Sequence, residues 1–155
     1  MRWLSSFEEF QVGEVIETQG RTITESMASM AAWLGGYVHP LFTDHDRARE
    51  VLGIDPPLIP GQFVLYVLGG LAEMTGRFDA TTLGLIALDE VRFERPVVVG
   101  TTVRLRMGVL AKHRSTSGRR GSVRFAWTAV GADSGVHLRA ESTMLFALGD
   151  PPAPG

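Results

Sequence analysis

The side chains that can carry acid–base chemistry are concentrated in one segment, residues 37–46, with the sequence YVHPLFTDHD. Two of the chain's four histidines, His39 and His45, lie in this segment together with the carboxylates Asp44 and Asp46. Imidazole and carboxylate groups bind and release protons, and loops between apolar helices often carry such groups as catalytic or binding residues. This segment is therefore the candidate site for proton transfer.

The same residues also have structural roles available to them. Thr43 or Asp44 can cap a short helix that Gly53 ends. Negative charge is favoured at the start of a helix, so Asp44 and Asp46 can serve that end, and the histidine between them would then be exposed to water. His39 precedes a proline, which disfavours helix at its own position, and it fits a structural or a chemical role equally well.

Composition and charge exclude several other kinds of function. The chain has no cysteine, which excludes disulfides and thiolate chemistry. No histidine pair has the HxxxH or HExxH spacing that places two imidazoles on one helix face, and we expect no metal and no other cofactor. The formal net charge of -2 gives no electrostatic basis for binding nucleic acid or an anionic membrane. The first residues, MRWLSSFEEF, lack the apolar region of a secretory signal, so we expect a cytoplasmic protein.

The element that must position the candidate segment is the apolar stretch from Leu58 to Thr75, LIPGQFVLYVLGGLAEMT. Its apolar residues cover every direction of a helical wheel, which predicts a buried helix, and it is too short to cross a bilayer, which needs about 20 apolar residues. After Thr81, four segments have the character of β-strands. We predict one α+β domain, residues 1–149, in which a strongly bent antiparallel sheet wraps around a long buried helix, and a disordered tail, residues 150–155.

A second helix is predicted before the candidate segment. It begins at Thr22 or Thr24, where Thr22 and Glu25 fit a capping box, and it ends at Gly35. Apolar residues at positions i, i+3, i+4 and i+7 predict a stripe that faces the core. The residues of this stripe are Met27, Met30, Ala31 and Leu34.

Gly61 opens the apolar helix after a stiff, proline-rich lead-in, residues 54–60. A glycine lets a ligand approach the backbone closely, and the first N–H groups of a helix have no partner within the helix. A carbonyl oxygen within hydrogen-bonding distance of these groups would be polarised as in an oxyanion hole. The alternative is that Gly61 only allows the chain to turn.

Three segments of the sequence carry a resemblance to a known family: FEEFQVGEVIETQGRTIT near the start, HPLFTD in the candidate segment and VRFERPVVVGTTVRLR in the predicted sheet. Together with the order of the predicted elements, they resemble the MaoC-like enoyl-thioester hydratases and dehydratases of the hotdog fold, over residues 7–148. The resemblance implies a tunnel beside the buried helix for an acyl-CoA or acyl-carrier thioester, and dimers whose sheets join. We expect a homodimer, or a heterodimer with another hotdog protein.

The catalytic signature of that family, D-x-N-P-[LIV]-H, uses an Asp and a His five residues apart as an acid/base dyad, and here the sequence departs from it. When the Pro-Leu pairs are aligned, the Asp position falls on Tyr37, the Asn position on His39 and the His position on Phe42. The family's Ala-His-Gly step becomes Ile59-Pro60-Gly61. Phenylalanine carries no proton, and tyrosine, with an ordinary pKa of about 10, is a poor base at neutral pH. We therefore expect the standard mechanism to be severely impaired.

Three interpretations remain. In the favoured one, the chain is an enzyme with altered chemistry on an acyl or polyketide-like substrate, with Tyr37 as hydrogen-bond donor or acid, His39 as base and Asp44 orienting the loop. In the second, it is a non-catalytic acyl-binding protein or a partner subunit of a dyad-containing hotdog dehydratase. In the third, a residual hydratase uses His39 and Asp44. The predicted substrate-binding residues are Phe42, Pro60, Gly61 and Gln62.

Overall fold

The structure, a computed structural model, describes residues 6–54, 57–78 and 80–148. Its helices are α1 (Ser6–Glu9), α2 (Glu25–Gly35), α3 (Pro40–Thr43), α4 (His45–Leu52) and α5 (Gly61–Glu73). Its strands are β1 (Val15–Glu17), β2 (Arg21–Thr22), β3 (Thr82–Phe93), β4 (Thr102–Arg114), β5 (Arg120–Gly131) and β6 (Val136–Ala147). The tail predicted for residues 150–155 lies outside the described residues. Within those residues, every helix falls short of the length and apolar content needed to cross a bilayer.

The four strand segments predicted after Thr81 are confirmed as the long strands β3 to β6. They form one antiparallel sheet in the order β1-β4-β5-β6-β3, and the short strand β2 also pairs with β4. Strand β3 pairs with β6 on one side and has no neighbouring strand on its other side among the described residues. It is therefore an open edge of the sheet.

Helix α5 packs against the inner face of this bent sheet, as predicted. The helix buries Val64, Val67, Leu68, Leu71 and Ala72, and alternate residues of the facing strands join them in one hydrophobic core. On β5 the buried residues alternate with partly exposed ones from Val123 to Ala129. The α+β class and the arrangement of a helix against a bent antiparallel sheet are therefore confirmed.

The chain covers α5 on one side only. The opposite side of the helix carries Gln62, Gly70 and Glu73, which are exposed, and Tyr66, whose relative exposure is 78%. Because β3 is the last strand of the sheet, no further strand of the described chain extends over this side of the helix. The exposed side of the helix, where Tyr66 is the large apolar side chain, and the open sheet edge therefore lie side by side.

The stripe predicted on α2 is only partly correct. Ala31 is buried and Met27 packs against the core, whereas Met30 and Leu34 are exposed. The side of α2 that packs inward is centred on Ala31 and its neighbour Ala32, so the fully buried residues of this helix are small ones and Met27 packs at their edge. The helix is capped by Thr24, whose Oγ1 accepts a hydrogen bond from the Met27 N–H, and not by the capping box predicted at Thr22.

Candidate functional site

The candidate segment folds into the two short helices α3 and α4, and two of its predicted catalytic residues cap them. His39 lies at the N-cap of α3, where its Nδ1 accepts a hydrogen bond from the Leu41 N–H at 3.2 Å. Asp44 caps α4 by accepting a hydrogen bond from the Arg47 N–H at 3.0 Å. With Nδ1 acting as an acceptor, the neutral His39 ring carries its proton on Nε2 and presents a donor there.

The structure brings three of the predicted residues together through their rings. The ring centroids of Tyr37 and Phe42 are 5.5 Å apart, and those of His39 and Phe42 are 6.3 Å apart. Phe42 is thus in contact range of both groups that were predicted to carry protons. Asp44 is hydrogen-bonded at the start of α4, and this cap fixes the orientation of the candidate segment.

Two cavities meet at Phe42. The first, which we call the Tyr37 cavity, has a volume of about 360 Å³ and is lined by Tyr37, Phe42 and the titratable pair His45 and Glu25. The Nε2 of His45 lies 3.8 Å from the nearer carboxylate oxygen of Glu25. The expected exposure of His45 to water is confirmed, since its side chain is 51% exposed. It lies on the wall of the cavity that Tyr37 also lines.

The second cavity, the Gly61 cavity, lies at the start of α5 and has a volume of about 340 Å³. Phe42, Gly61 and Gln62 line it, and Pro60 is buried directly before it. No side chain caps α5. The N–H groups of Phe63 and Val64 bond to the Pro60 carbonyl, whereas the described residues offer no acceptor to the N–H groups of Gly61 and Gln62.

The glycine at position 61 is required by a close side-chain contact. A Cβ added there would lie 2.3 Å from the Cε1 atom of Phe93, at the end of β3. The aromatic ring therefore packs directly on the Gly61 α-carbon and forms one wall of the Gly61 cavity, which Phe93 also lines. The close approach expected at this glycine is thus made by a residue of the sheet.

His137 is a residue that sequence reasoning missed. Its imidazole is 7% exposed and lines the Gly61 cavity. Its Nδ1 lies 3.1 Å from the Pro96 carbonyl oxygen, which can only accept, so Nδ1 carries the proton and the neutral ring keeps Nε2 as an acceptor. Nothing near His137 in the sequence signals this role, because the pairing of β3 with β6 brings it to the start of α5.

Charged groups hold the rim of the Gly61 cavity. Arg95 lines it and donates to Asp133 at 3.0 Å. The backbone N–H of Gly135, together with the Arg95 guanidinium, keeps the pKa of the Asp133 carboxyl below its usual range. The carboxylate therefore pairs with the guanidinium at the rim, where both side chains are about half exposed.

An open apolar groove follows the exposed side of α5. This α5 groove has a volume of about 940 Å³ and is lined by residues of α5, of β3 and β5 and, from α2, by Met27 and Met30. Its apolar lining includes Phe63, Leu65, Tyr66, Leu85, Leu88 and Trp127. Gln62 lines both the groove and the Gly61 cavity. The groove and the uncapped helix end are therefore adjacent parts of one surface.

A single helix packed on a bent antiparallel sheet of this kind defines the hotdog fold. Comparison with protein-family models gave no match, and comparison with curated proteins gave none either. Solved structures do match over most of the chain, and they include MaoC-like dehydratases.

Three of these structures illustrate the similarity. A monoamine oxidase regulatory protein from Archaeoglobus fulgius is 26% identical, with 93% of this chain and 95% of that chain covered and a TM-score of 0.84. A MaoC-like dehydratase from Rhodospirillum rubrum is 18% identical, with 92% and 97% covered and a TM-score of 0.73. The HadBC (3R-hydroxyacyl-ACP dehydratase) complex from Mycobacterium tuberculosis is 16% identical, with 87% and 98% covered and a TM-score of 0.70. What the chain shares with them is the fold.

Proposed function

We propose that this protein is a cytoplasmic relative of the MaoC-like hydratases and dehydratases that binds an acyl or enoyl thioester, or a polyketide-like substrate, and acts on it with altered acid–base chemistry. The thioester is carried by coenzyme A or by a carrier protein. The acyl chain lies in the α5 groove, and the carbonyl group lies in the Gly61 cavity.

The observation that carries this proposal is that a largely apolar groove lies next to an uncapped helix start, with Gln62 lining both. Long hydrocarbon chains gain roughly 0.8 kcal/mol for each buried CH₂ group, which the lining of the groove can supply. A polarised carbonyl oxygen is stabilised by unpaired N–H groups at the positive end of a helix. Gln62 belongs to both places, so one extended molecule can occupy both.

Proton transfer is assigned to the ring cluster around Phe42, which lines both cavities. Tyr37 lines only the Tyr37 cavity and His39 lines neither, so both groups must reach the substrate past Phe42. Tyr37 acts as a hydrogen-bond donor or acid, and Asp44 orients the segment by capping α4. His39 acts as the base, which requires release of the bond between its Nδ1 and the Leu41 N–H, because in the capped arrangement its Nε2 is a donor. His137 offers a second imidazole that lines the Gly61 cavity, and its acceptor nitrogen, Nε2, lies close to the backbone of Gly131.

The alternative function is that of a non-catalytic acyl-binding subunit that pairs with a dyad-containing hotdog dehydratase. Two observations favour it. His39 and Asp44 both have structural roles as helix caps, and the structurally similar HadBC dehydratase is a complex. This alternative predicts a chain that binds thioesters but is inert alone, and that gains activity with a dyad-containing partner.

Binding is tested by calorimetric titration of the full chain with saturated acyl-CoA thioesters of increasing chain length. Each added CH₂ group is expected to tighten binding by about three- to four-fold until the groove is filled. A free coenzyme A control measures the contribution of the nucleotide. Affinity that does not depend on chain length would contradict the assignment of the acyl chain to the α5 groove.

We also propose that two copies of the chain join through β3. The open edge of β3 offers unpaired backbone groups for strand pairing, and it carries the exposed apolar side chains Leu83 and Ile86. Antiparallel pairing of β3 with its copy would extend the sheet and cover the open side of the α5 groove.

A charge at the edge of β3 is expected to dissociate this dimer. Ile86 is 57% exposed, so Ile86→Asp costs the monomer little but places two like charges across the pairing strands, which we expect to weaken association by about 100-fold. Val12→Asp, at an exposed apolar residue of another surface, is the matched control. Analytical ultracentrifugation should show a dimer for the wild type and the control, and a monomer for Ile86→Asp. A monomeric wild type would refute the pairing.

A further inference from the structure

Three arginines lie close together on the outer face of the sheet, the face turned away from α5. Arg106 of β4 pairs with Thr128 of β5, and Thr128 pairs with Arg139 of β6, so these residues stand in one row across adjacent strands. Arg104 lies two residues before Arg106 on the same strand. Leu105 between them is buried in the core, so both arginines point outward. The outer face therefore carries three guanidinium groups around one threonine.

Short side chains between these arginines leave a cavity on the outer face. This outer cavity has a volume of about 530 Å³, which falls within the roughly 300–1,000 Å³ of small-molecule sites. Ala126 and Thr128 of the central strand line it, together with Arg104, Arg106 and Arg139. Neighbouring strands lie about 4.8 Å apart, so the α-carbons of Arg106 and Arg139 are roughly 10 Å apart across Thr128. Both long side chains can therefore reach a group placed above the threonine.

The guanidinium groups of this cavity are available to a ligand. Arg104 has no hydrogen bond or ion pair within the described part of the chain. Arg139 donates from Nε to Glu94 at 2.9 Å, and the Nε of Arg106 lies 3.5 Å from a Glu17 oxygen. The terminal N–H groups of Arg106 and Arg139 make no hydrogen bond to a described residue. Both ion pairs are about half exposed, and exposed pairs are held weakly.

The chemistry of the outer cavity defines its ligand. Three arginines and a single carboxylate, that of Glu17, give the described lining residues a net charge of +2. Arginine binds phosphate and carboxylate groups through paired N–H donors. The Thr128 hydroxyl, which has no partner among the described residues, offers a further donor from the floor. Donors from both sides and from below match the tetrahedral oxygens of phosphate, whereas a carboxylate presents two oxygens in one plane. The charge and the volume suit two linked phosphate groups.

We propose that the outer cavity is a binding site for small molecules that carry a diphosphate group, with a free nucleoside diphosphate as the ligand. Arg106 and Arg139 bind the group from its two sides, Arg104 adds a third cation, and Thr128 donates from the floor. The site lies on the opposite face of the sheet from the α5 groove. This inference therefore does not depend on the proposed thioester function.

The test is a calorimetric titration of the full chain with pyrophosphate at constant low ionic strength, with orthophosphate and malonate as comparison anions. Pyrophosphate is expected to bind at one site per chain, about 10-fold more tightly than either comparison anion. Equal affinities for malonate and pyrophosphate would overturn the assignment to phosphate groups. The lack of saturable pyrophosphate binding would overturn the site itself.

A diphosphate group can belong to a free nucleotide or to coenzyme A, and titrations with ADP and with free coenzyme A distinguish these sources. We expect ADP to bind about 10-fold more tightly, because both phosphates of the coenzyme A diphosphate are esterified and the group carries less charge. Tighter binding of coenzyme A, with the same loss in Arg104→Gln, would overturn the assignment to a free nucleotide.

Arginine substitutions connect the binding to this cavity. Arg104→Gln and Arg139→Gln each remove one guanidinium and are expected to weaken pyrophosphate binding by about 10-fold. Arg92→Gln is the matched control, because Arg92 pairs with Arg139 across β3 and β6 and is exposed, but does not line the cavity. It should bind pyrophosphate within about two-fold of the wild type. Equal losses in Arg92→Gln and Arg104→Gln would show a diffuse effect of surface charge and would refute the site.

A second readout locates the bound anion without any substitution. In NMR spectra of the backbone amides, pyrophosphate is expected to shift the resonances of Ala126 and Thr128 and to leave those of Gly61 and Gln62 unchanged. The comparison is needed because unpaired N–H groups at a helix start also attract anions. Shifts at Gly61 and Gln62 alone would place the anion at the start of α5 and would contradict the outer site.

Discussion

Turnover of an enoyl or hydroxyacyl thioester is expected to fall by about 10²–10⁴-fold when Tyr37 is replaced by Phe or His39 by Ala, because each substitution removes one of the groups assigned to proton transfer. Tyr37→Phe removes only the phenol O–H and keeps the ring that packs edge-on against Phe42. His39→Ala also removes the cap of α3, which costs about 1 kcal/mol. The measurement is kcat and kcat/KM with matched thermal melts.

His39→Asn separates the chemical role of His39 from its structural one. Asparagine is among the preferred N-cap residues and can accept the Leu41 N–H bond, but it does not titrate. If His39 is the base, the His39→Asn variant should have the melting temperature of the wild type and be as inactive as His39→Ala. If His39 serves only as the helix cap, His39→Asn should keep the turnover of the wild type. Wild-type turnover by both Tyr37→Phe and His39→Asn would remove these residues from the mechanism.

Gly61→Ala is expected to weaken acyl-thioester binding by about 10- to 100-fold, because the Phe93 ring is displaced into the space assigned to the carbonyl group. The overpacking also lowers the folding stability by roughly 1–3 kcal/mol. The new methyl group would stand 2.3 Å from the Phe93 Cε1 atom, so the ring must swing away from the α-carbon. Since Phe93 lines the Gly61 cavity, its movement changes the space that borders the unpaired N–H groups. Titration with one long-chain acyl-CoA measures the loss.

The control for this substitution is Gly108→Ala on β4. A Cβ added at Gly108 would lie 3.9 Å from the Ala126 Cβ, which is an ordinary contact. We expect Gly108→Ala to bind the thioester as the wild type does. Equal affinities of Gly61→Ala, Gly108→Ala and the wild type would show that the start of α5 does not hold the carbonyl group.

The long strands and the central helix were predictable because their signals are local. Alternation along β5 and the switch to strand character after Thr81 depend only on neighbouring residues, and the structure confirms both. The caps of α4, Asp44 and Gly53, were also predictable, since each acts within one turn of the helix.

The open side of α5 was not predictable from the pattern of the helix itself. A helix with apolar residues in every direction of its helical wheel is predicted to be buried, but the pattern does not identify the surface that covers it. Tyr66, Leu85 and Leu88 along the groove are apolar although the described chain leaves them exposed. We attribute this exposed apolar surface to contacts with the proposed second copy and the proposed acyl chain. Neither contact can be read from the spacing of the helix residues.

Parts of the candidate site also depend on contacts between distant residues. The packing of Phe93 on Gly61 and the position of His137 beside the start of α5 both follow from the pairing of β3 with β6. The grouping of arginines at the outer cavity likewise depends on the registers of β5 with β4 and β6. Sequence periodicity shows which residues of one strand share a face, but it does not show which residues of other strands stand beside them.

The most direct test of acyl binding beside α5 is a crystal structure of the protein in complex with a long-chain acyl thioester. We predict that the acyl chain lies between α5 and β3, in contact with Tyr66 and Leu88, and that the carbonyl oxygen lies about 3 Å from the backbone nitrogen of Gly61 or Gln62. A groove filled by side chains of a second copy, with the thioester bound elsewhere or not at all, would contradict this prediction.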